Sequence, residues 1–344
     1  MCSALLPAAQ RGYGQRRQLN VAVTGGSGFI GSHVVDGLIA RGDRVRIIDL
    51  VPSPYLLPGE VETAIGDLVD LDFVRDAVRG CDAVVHLAAV SDVNEVVLDP
   101  ARAEMVNAGG TRTLLEAARL EGIGTVVYAS TIWVYGDRNG EVVDEDAALQ
   151  LPTHFYTATK LAGEMYCTSY VELFGLDCRI ARFGIPYGPR ARSATVLAAF
   201  AMEALRGEPL TIHGDGSQSR RFVYAEDLAE GVLATLTAGM RGRTYNLVGD
   251  ESITVRTIAE TVCSLIRPVP IVHLEARFGD LRGAEISGER AARELGWKPR
   301  TSFREGAARY IAWLMESSGA PSASAASAIL GIAPAVALHE PGEL

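Results

Sequence analysis

Lysine is nearly missing from this chain. Of its 32 basic side chains only two are lysines, Lys160 and Lys298. A lysine that persists in such a background marks a place where a compact ammonium is wanted and a planar guanidinium cannot serve. Excess positive charge is missing too: 32 basic against 42 acidic residues leave −10 over 344 residues. A surface that coats nucleic acid needs a basic face, so that partner class is set aside. An anionic small ligand stays open, because a few local arginines can hold one. No apolar run approaches the roughly 20 residues of a membrane helix, so no membrane partner is expected. Cysteine is scarce and odd in number. Cys2, Cys81, Cys167, Cys178 and Cys263 lack metal-ligand spacing, and no metal is expected. A reduced, cytoplasmic protein fits this usage best.

The length corresponds to about two domains. Residues 1–18 have no clear period and no convincing cleavage site, and read as a flexible extension. Residues 317–344, rich in Ala, Ser, Gly and Pro, read as a flexible tail. Between them, strand and helix patterns alternate. Apolar strands are predicted at 19–24, 44–49, near 61–65, at 82–89, 125–130 and 178–182, with helices at 29–40 and near 70–78, 101–120 and 156–173. Such alternation predicts an α/β protein with a parallel sheet covered on both faces. After about 184 the pattern turns irregular, with 187–193 and 213–221 read as loops. A smaller C-terminal α/β domain is placed at about 184–221 plus 250–316, while 222–249 returns to the main sheet, completing a first domain of 19–183 plus 222–249.

Three motifs carry chemistry. The first is TGGSGFIG at 24–31, which follows a strand and opens a helix. Gly25, Gly28 and Gly31 permit a tight turn and let backbone amides approach a pyrophosphate, while the helix start at Phe29 and Ile30 offers unpaired donors. No Gly-Lys-Ser/Thr is present, which argues against a P-loop. Asp49 ends the second strand, 18 residues after Gly31. An acid there binds both ribose hydroxyls of NAD and repels the 2′-phosphate of NADP, so a Rossmann-type, doubly wound sheet holding NAD is expected. The second motif is Tyr156-Thr-Ala-Thr-Lys160. On a helix, positions i and i+4 share a face, so phenol and ammonium enter the same space. For Tyr156 to act as a base near pH 7 its pKa must fall by about 3, worth roughly 4 kcal/mol, and a nearby ammonium and a cationic nicotinamide are the expected causes. The third is YASTIWVYG at 128–136, where Ser130 and Thr131 end a strand at the sheet's carboxyl edge. Ordinary strand-end capping is the alternative for these two hydroxyls.

Taken in order, the three resemble the extended short-chain dehydrogenase/reductases, the NAD-dependent nucleotide-sugar epimerases and dehydratases. The resemblance runs from about 20 to 315 and is supported by GDL at 66–68, HLAA at 86–89, Asn107 with Gly110-Thr111, Arg182 followed by YGP at 187–189, GDGSQSRRFVYAED at 214–227, YNL at 245–247 and LGWKP at 295–299. It implies that Asp67 and Leu68 flank the adenine, that Leu87, Ala88 and Ala89 line the nicotinamide side, and that Asn107 belongs to the cofactor site. It also implies a catalytic set of Thr131, Tyr156 and Lys160 supported by Ser130, with Arg220 and Arg282 on the substrate nucleotide; surface arginines in loops are the alternative for that pair. LGWKP reads as helix termination and packing.

Departures from the family narrow the reaction. Its 4,6-dehydratases carry Asp and Glu directly after the catalytic threonine, and decarboxylating relatives keep the glutamate. Here those places hold Ile132 and Trp133, which cannot transfer protons. The resemblance then implies C4 epimerisation of a UDP-hexose or UDP-hexuronate through a transient 4-keto intermediate. A net NAD(H)-dependent oxidoreductase on a nucleotide sugar or other secondary alcohol is the alternative; a dehydratase or decarboxylase and an NAD-sensing non-enzyme rank below it. Ile185 stands where the family has an asparagine that helps hold the sugar nucleotide. His154, just before Tyr156, either touches substrate or caps the loop. Family members often form homodimers through helices corresponding to those near 101–120 and 156–173.

Overall fold

The computed structural model describes residues 17–57, 59–138, 140–192, 195–275 and 284–317. The first half is β1 (Asn20–Thr24), α1 (Phe29–Ala40), β2 (Arg44–Asp49), β3 (Glu62–Ile65), α2 (Leu71–Val78), β4 (Ala83–His86), α3 (Val93–Leu98), α4 (Pro100–Glu104), α5 (Gly110–Leu120) and β5 (Thr125–Thr131). There follow β6 (Val142–Val143), α6 (Phe155–Phe174), β7 (Cys178–Phe183), β8 (Ile185–Tyr187), α7 (Val196–Arg206), β9 (Leu210–His213), β10 (Ser219–Tyr224) and α8 (Ala225–Ala238). The chain continues through β11 (Thr244–Leu247), β12 (Ser252–Thr254), α9 (Val255–Leu265), β13 (Ile271–Leu274), β14 (Glu285–Ile286) and α10 (Phe303–Ser317).

Seven strands form one sheet in the order β3-β2-β1-β4-β5-β7-β11, each neighbour parallel to the next. Strands such as Val21-Ala22-Val23 and Val84-Val85 are buried on both faces, as their unbroken apolar runs require. Val34, Val35 and Leu38 of α1 and Leu228 and Val232 of α8 cover one face. Val74 and Val78 of α2, Leu114 and Leu115 of α5 and Cys167 of α6 cover the other. A second core joins α7, α9, α10, β9 and β12 through Leu197, Leu210, Ile253, Ile258 and Ile311. β11 pairs with β7, so the 222–249 stretch does return to the main sheet. Trp297 of the LGWKP segment packs where Gly231 leaves no room for a side chain and donates to the Asp227 carbonyl at 2.9 Å.

Two local expectations are corrected. The single helix expected at 101–120 is broken: Met105–Gly109 forms a π-helical turn between α4 and α5. The buried Asn107 causes a preference that periodicity cannot show, because its amide ties this turn to Val90 and to Thr159 of α6. The polar run Ser219-Arg220-Arg221, expected as loop, is strand, held by antiparallel pairing to β12.

Candidate active site

A cleft of about 780 Å³ opens at the carboxyl ends of the main strands. It lies where β1 and β4 are neighbours and their following connections diverge, the place where doubly wound sheets take ligands.

One half of the cleft is built by the glycine turn. Gly25 has φ +71°, and a Cβ on it would stand 2.7 Å from the Ala88 amide nitrogen. A Cβ on Gly31 would stand 1.9 Å from the Gly25 carbonyl oxygen, so only glycine lets α1 start this close to the turn. The Gly28 amide donates to the Gly25 carbonyl at 3.1 Å. No side chain caps the N-terminus of α1, which leaves first-turn donors for an anion. Phe29, Ile30, Gly31, Asp49, Asp67, Leu68, Leu87, Ala88 and Ala89 all line the cleft. The Asp49 carboxylate is oriented by the Ser27 amide, which donates to it at 3.0 Å. Behind this wall His86 bridges Thr24 (2.7 Å) and Thr111 (2.9 Å). Burial, helped by the charge of Lys160, takes its pKa down to about 3, so it acts as a neutral clamp. A glycine cradle, uncapped helix donors and an acid at the end of β2 together fit a dinucleotide.

The other half gathers the reactive side chains. Thr131 ends β5, and its hydroxyl accepts from the Trp133 amide at 3.3 Å. Tyr156 and Lys160 lie one turn apart on α6, and both line the cleft with Thr131. Burial pushes the Tyr156 phenol up to about 12, opposed by the charge of Arg192. Burial pulls the Lys160 ammonium down to about 8, opposed by Cys167 and Glu164. In the protein alone Lys160 does not offset this burial, so the fall expected at the phenol needs the other expected cause, the cationic nicotinamide, as well. The Lys160 ammonium stands 4.7 Å from the centre of the Tyr128 ring, and desolvation outweighs the charges that reach Tyr156.

Hydrogen bonding bears on the other expectations. Ser130 lines the cleft and gives its hydroxyl to Glu164 at 2.5 Å. Glu164 also holds Arg182 through bonds of 2.9 and 2.6 Å, and Arg182 donates to Tyr135 at 2.8 Å. Burial lowers the Arg182 pKa, but these bonds outweigh it and hold it above its ordinary value. Sequence reasoning missed Glu164, although its place one turn after Lys160 was a signal. Asn107 does not line the cleft; both ends of its amide are committed to Val90 and Thr159, so it positions backbone. Arg220 sits on β10 outside the cleft lining and donates to the Ser219 carbonyl at 2.8 Å. Arg282 lies outside the described residues. Among the described residues, the arginines that line the cleft are Arg102 and Arg192, neither of which the motifs indicated. Arg192 bridges to Asp92 at 3.0 Å and Ser91 at 3.3 Å. His154 precedes α6 without a side-chain cap bond; its ring lies 5.8 Å from that of Trp133.

Comparison with known proteins agrees with this architecture. The profile of the NAD dependent epimerase/dehydratase family matches residues 21–248. The chain is 31% identical over 313 residues to the trifunctional UDP-glucose 4,6-dehydratase/UDP-4-keto-6-deoxy-D-glucose 3,5-epimerase/UDP-4-keto-L-rhamnose-reductase RHM1 of Arabidopsis thaliana; the match covers 86% of this chain and 46%, less than half, of that one. It is 33% identical over 317 residues to YtcB of Bacillus subtilis, described as an uncharacterized UDP-glucose epimerase, covering 86% of this chain and 98% of YtcB. The structure of UDP-glucose 4-epimerase from Thermotoga maritima with UDP-glucose superposes with a TM-score of 0.81 at 29% identity, over 87% of this chain and 99% of that one. The glycine turn, the parallel sheet and the Thr131–Tyr156–Lys160 cleft thus belong to a member of the NAD dependent epimerase/dehydratase family, enzymes of the extended short-chain dehydrogenase/reductase type.

Proposed function

We propose that this enzyme inverts C4 of a UDP-hexose or UDP-hexuronate through a transient 4-keto sugar. One observation supports epimerisation over elimination or decarboxylation. Among the described residues lining the cleft, the carboxylates are Asp49 and Asp67, both in the glycine-turn half. Beside Tyr156, the positions after Thr131 hold the buried Ile132 and the indole of Trp133. Elimination needs an added acid and base, and no carboxylate stands there to act as one.

Gly25, Gly28 and the start of α1 would hold the pyrophosphate of NAD, Asp49 a ribose, Asp67 and Leu68 the adenine side, and Leu87–Ala89 the nicotinamide side. When bound, NAD supplies a reversible hydride acceptor. Tyr156 takes the proton of the substrate hydroxyl and later returns it. Thr131 hydrogen-bonds the same oxygen. Lys160, one turn after Tyr156 on α6, holds positive charge within the buried surroundings that make a charge effective. We place the cofactor on 19–183 plus 222–249 and the sugar nucleotide against 184–221 plus 250–316. A homodimer in the cytoplasm completes the reading; Met105 and Leu120 and, on α6, Met165, Leu173 and Phe174 offer exposed apolar surface for it. Among the described residues no helix is long and apolar enough to cross a membrane.

The test is to incubate the purified protein with UDP-, dTDP-, GDP- and CDP-sugars and separate the products. A new C4 isomer without net change in NAD is the expected result. A 4-keto-6-deoxy product would refute it, and net NAD reduction without an isomer would make the protein an oxidoreductase.

A further inference from the structure

Of the exposed aromatic residues among those described, Trp133 lines the cleft. The indole is 37% exposed and lines the cleft together with Tyr156. The two rings meet edge to face, 6.2 Å between centres and 85° between planes. The His154 ring lies 5.8 Å from the indole, and the Trp133 amide is tied to the Thr131 hydroxyl. Trp133 is thus fixed to both hydroxyl-bearing residues of the reactive set. A substrate hydroxyl that bonds Tyr156 at about 2.7 Å brings the neighbouring carbons of its ring within reach of the indole.

An indole offers a π face, apolar area and a single N–H donor. Carbon–hydrogen groups gain contact there. A carboxylate placed against it loses water and finds at most one donor. Ile185 and Phe222, from paired strands β8 and β10, extend the apolar lining. Of the described cations lining the cleft, Arg192 is engaged by Asp92 and Ser91, Lys160 stands over the Tyr128 ring, and Arg102 lies on α4.

Building on the nucleotide-sugar reading above, we infer that Trp133 determines specificity: its indole is an apolar wall beside the reacting carbon that receives a neutral hexose and rejects a hexuronate. The substrate class narrows from UDP-hexose or UDP-hexuronate to the neutral sugar.

The experiment uses the full chain and three probes: UDP, UDP-glucose and UDP-glucuronate. The chain has three tryptophans, Trp133, Trp297 and Trp313, so the difference between the unmodified protein and Trp133→Phe isolates the Trp133 fluorescence signal. UDP-glucose should change that fluorescence more than UDP does, and Trp133→Phe should lose most of the difference. Turnover should favour UDP-glucose over UDP-glucuronate by at least about tenfold in kcat/KM, a ratio that one desolvated charge readily produces. In Trp133→Ala that preference should shrink severalfold with UDP affinity unchanged, and in Trp133→Phe it should largely survive. Trp133→Ser replaces the alanine variant if that one fails to fold, with the same expectation. Preference for UDP-glucuronate in the unmodified protein, or an unaltered preference in the alanine or serine variant, overturns the inference alone. Absence of binding and turnover with every nucleotide sugar overturns the functional reading and this inference with it.

Discussion

The two halves of the cleft are made in different ways. The cofactor half is backbone and packing: glycines that admit no Cβ, uncapped helix donors, and an acid placed by the end of β2. The substrate half is side chains from β5, α6 and the segments after β7, held by a buried polar network. Backbone shapes leave little freedom, because a Cβ on Gly25 or Gly31 would meet backbone atoms. Side chains can be exchanged without disturbing the sheet, and here the positions after Thr131 are Ile132 and Trp133, with Ile185 on β8. The difference teaches where this enzyme is free to change its substrate.

The largest effect should come from the reactive set. Tyr156→Phe keeps the ring and removes the proton-transfer group, so kcat should fall by roughly 10²–10⁴-fold while NAD still binds. Equal loss of NAD affinity would show that the two halves are not separable. Next is the network behind them. Glu164→Ala leaves the Arg182 guanidinium buried without its partner, and should cost about 3–5 kcal/mol in denaturant unfolding. A cost below about 1 kcal/mol would show that the ion pair does not organise the substrate half.

Lys160 gives a smaller effect of opposite sign. Its folded value of about 8 lies below the ordinary 10.5. Between those values the unfolded chain binds more protons, so this group makes stability rise with pH across that window. Below pH 8 the whole cost of the buried ammonium applies. Lys160→Met should therefore be more stable at pH 7, by on the order of 2 kcal/mol, with the gain fading between pH 8 and 10.5 and activity lost. Melting curves at pH 7 and pH 10 check it; a lower Tm at pH 7 would contradict it.

The smallest effect concerns cofactor choice. Asp49→Ala removes the acid at the end of β2, and by the reading proposed above should shift the ratio of NAD to NADP affinity by about tenfold. Titration of both cofactors measures it. A ratio that does not move would place the discrimination elsewhere in the cofactor half.

The sequence by itself determined the parallel sheet, the glycine turn, Asp49 and the Thr131–Tyr156–Lys160 set. Each rests on short-range regularity: strand and helix periods, a seven-residue glycine pattern, a one-turn spacing. Such intervals dictate which groups face the same way before any tertiary contact forms. Hydrogen-bond allegiance was decided only in the fold. Ser130 turned to Glu164, 34 residues away, and Asn107 to Thr159, 52 residues away. Arg220 went into a strand, while Arg192, from a segment without a strong motif, crossed to Asp92 at the cleft. The protonation of Tyr156 and Lys160 likewise depends on how many atoms exclude water around them, a property of packing in three dimensions that no spacing along the chain encodes.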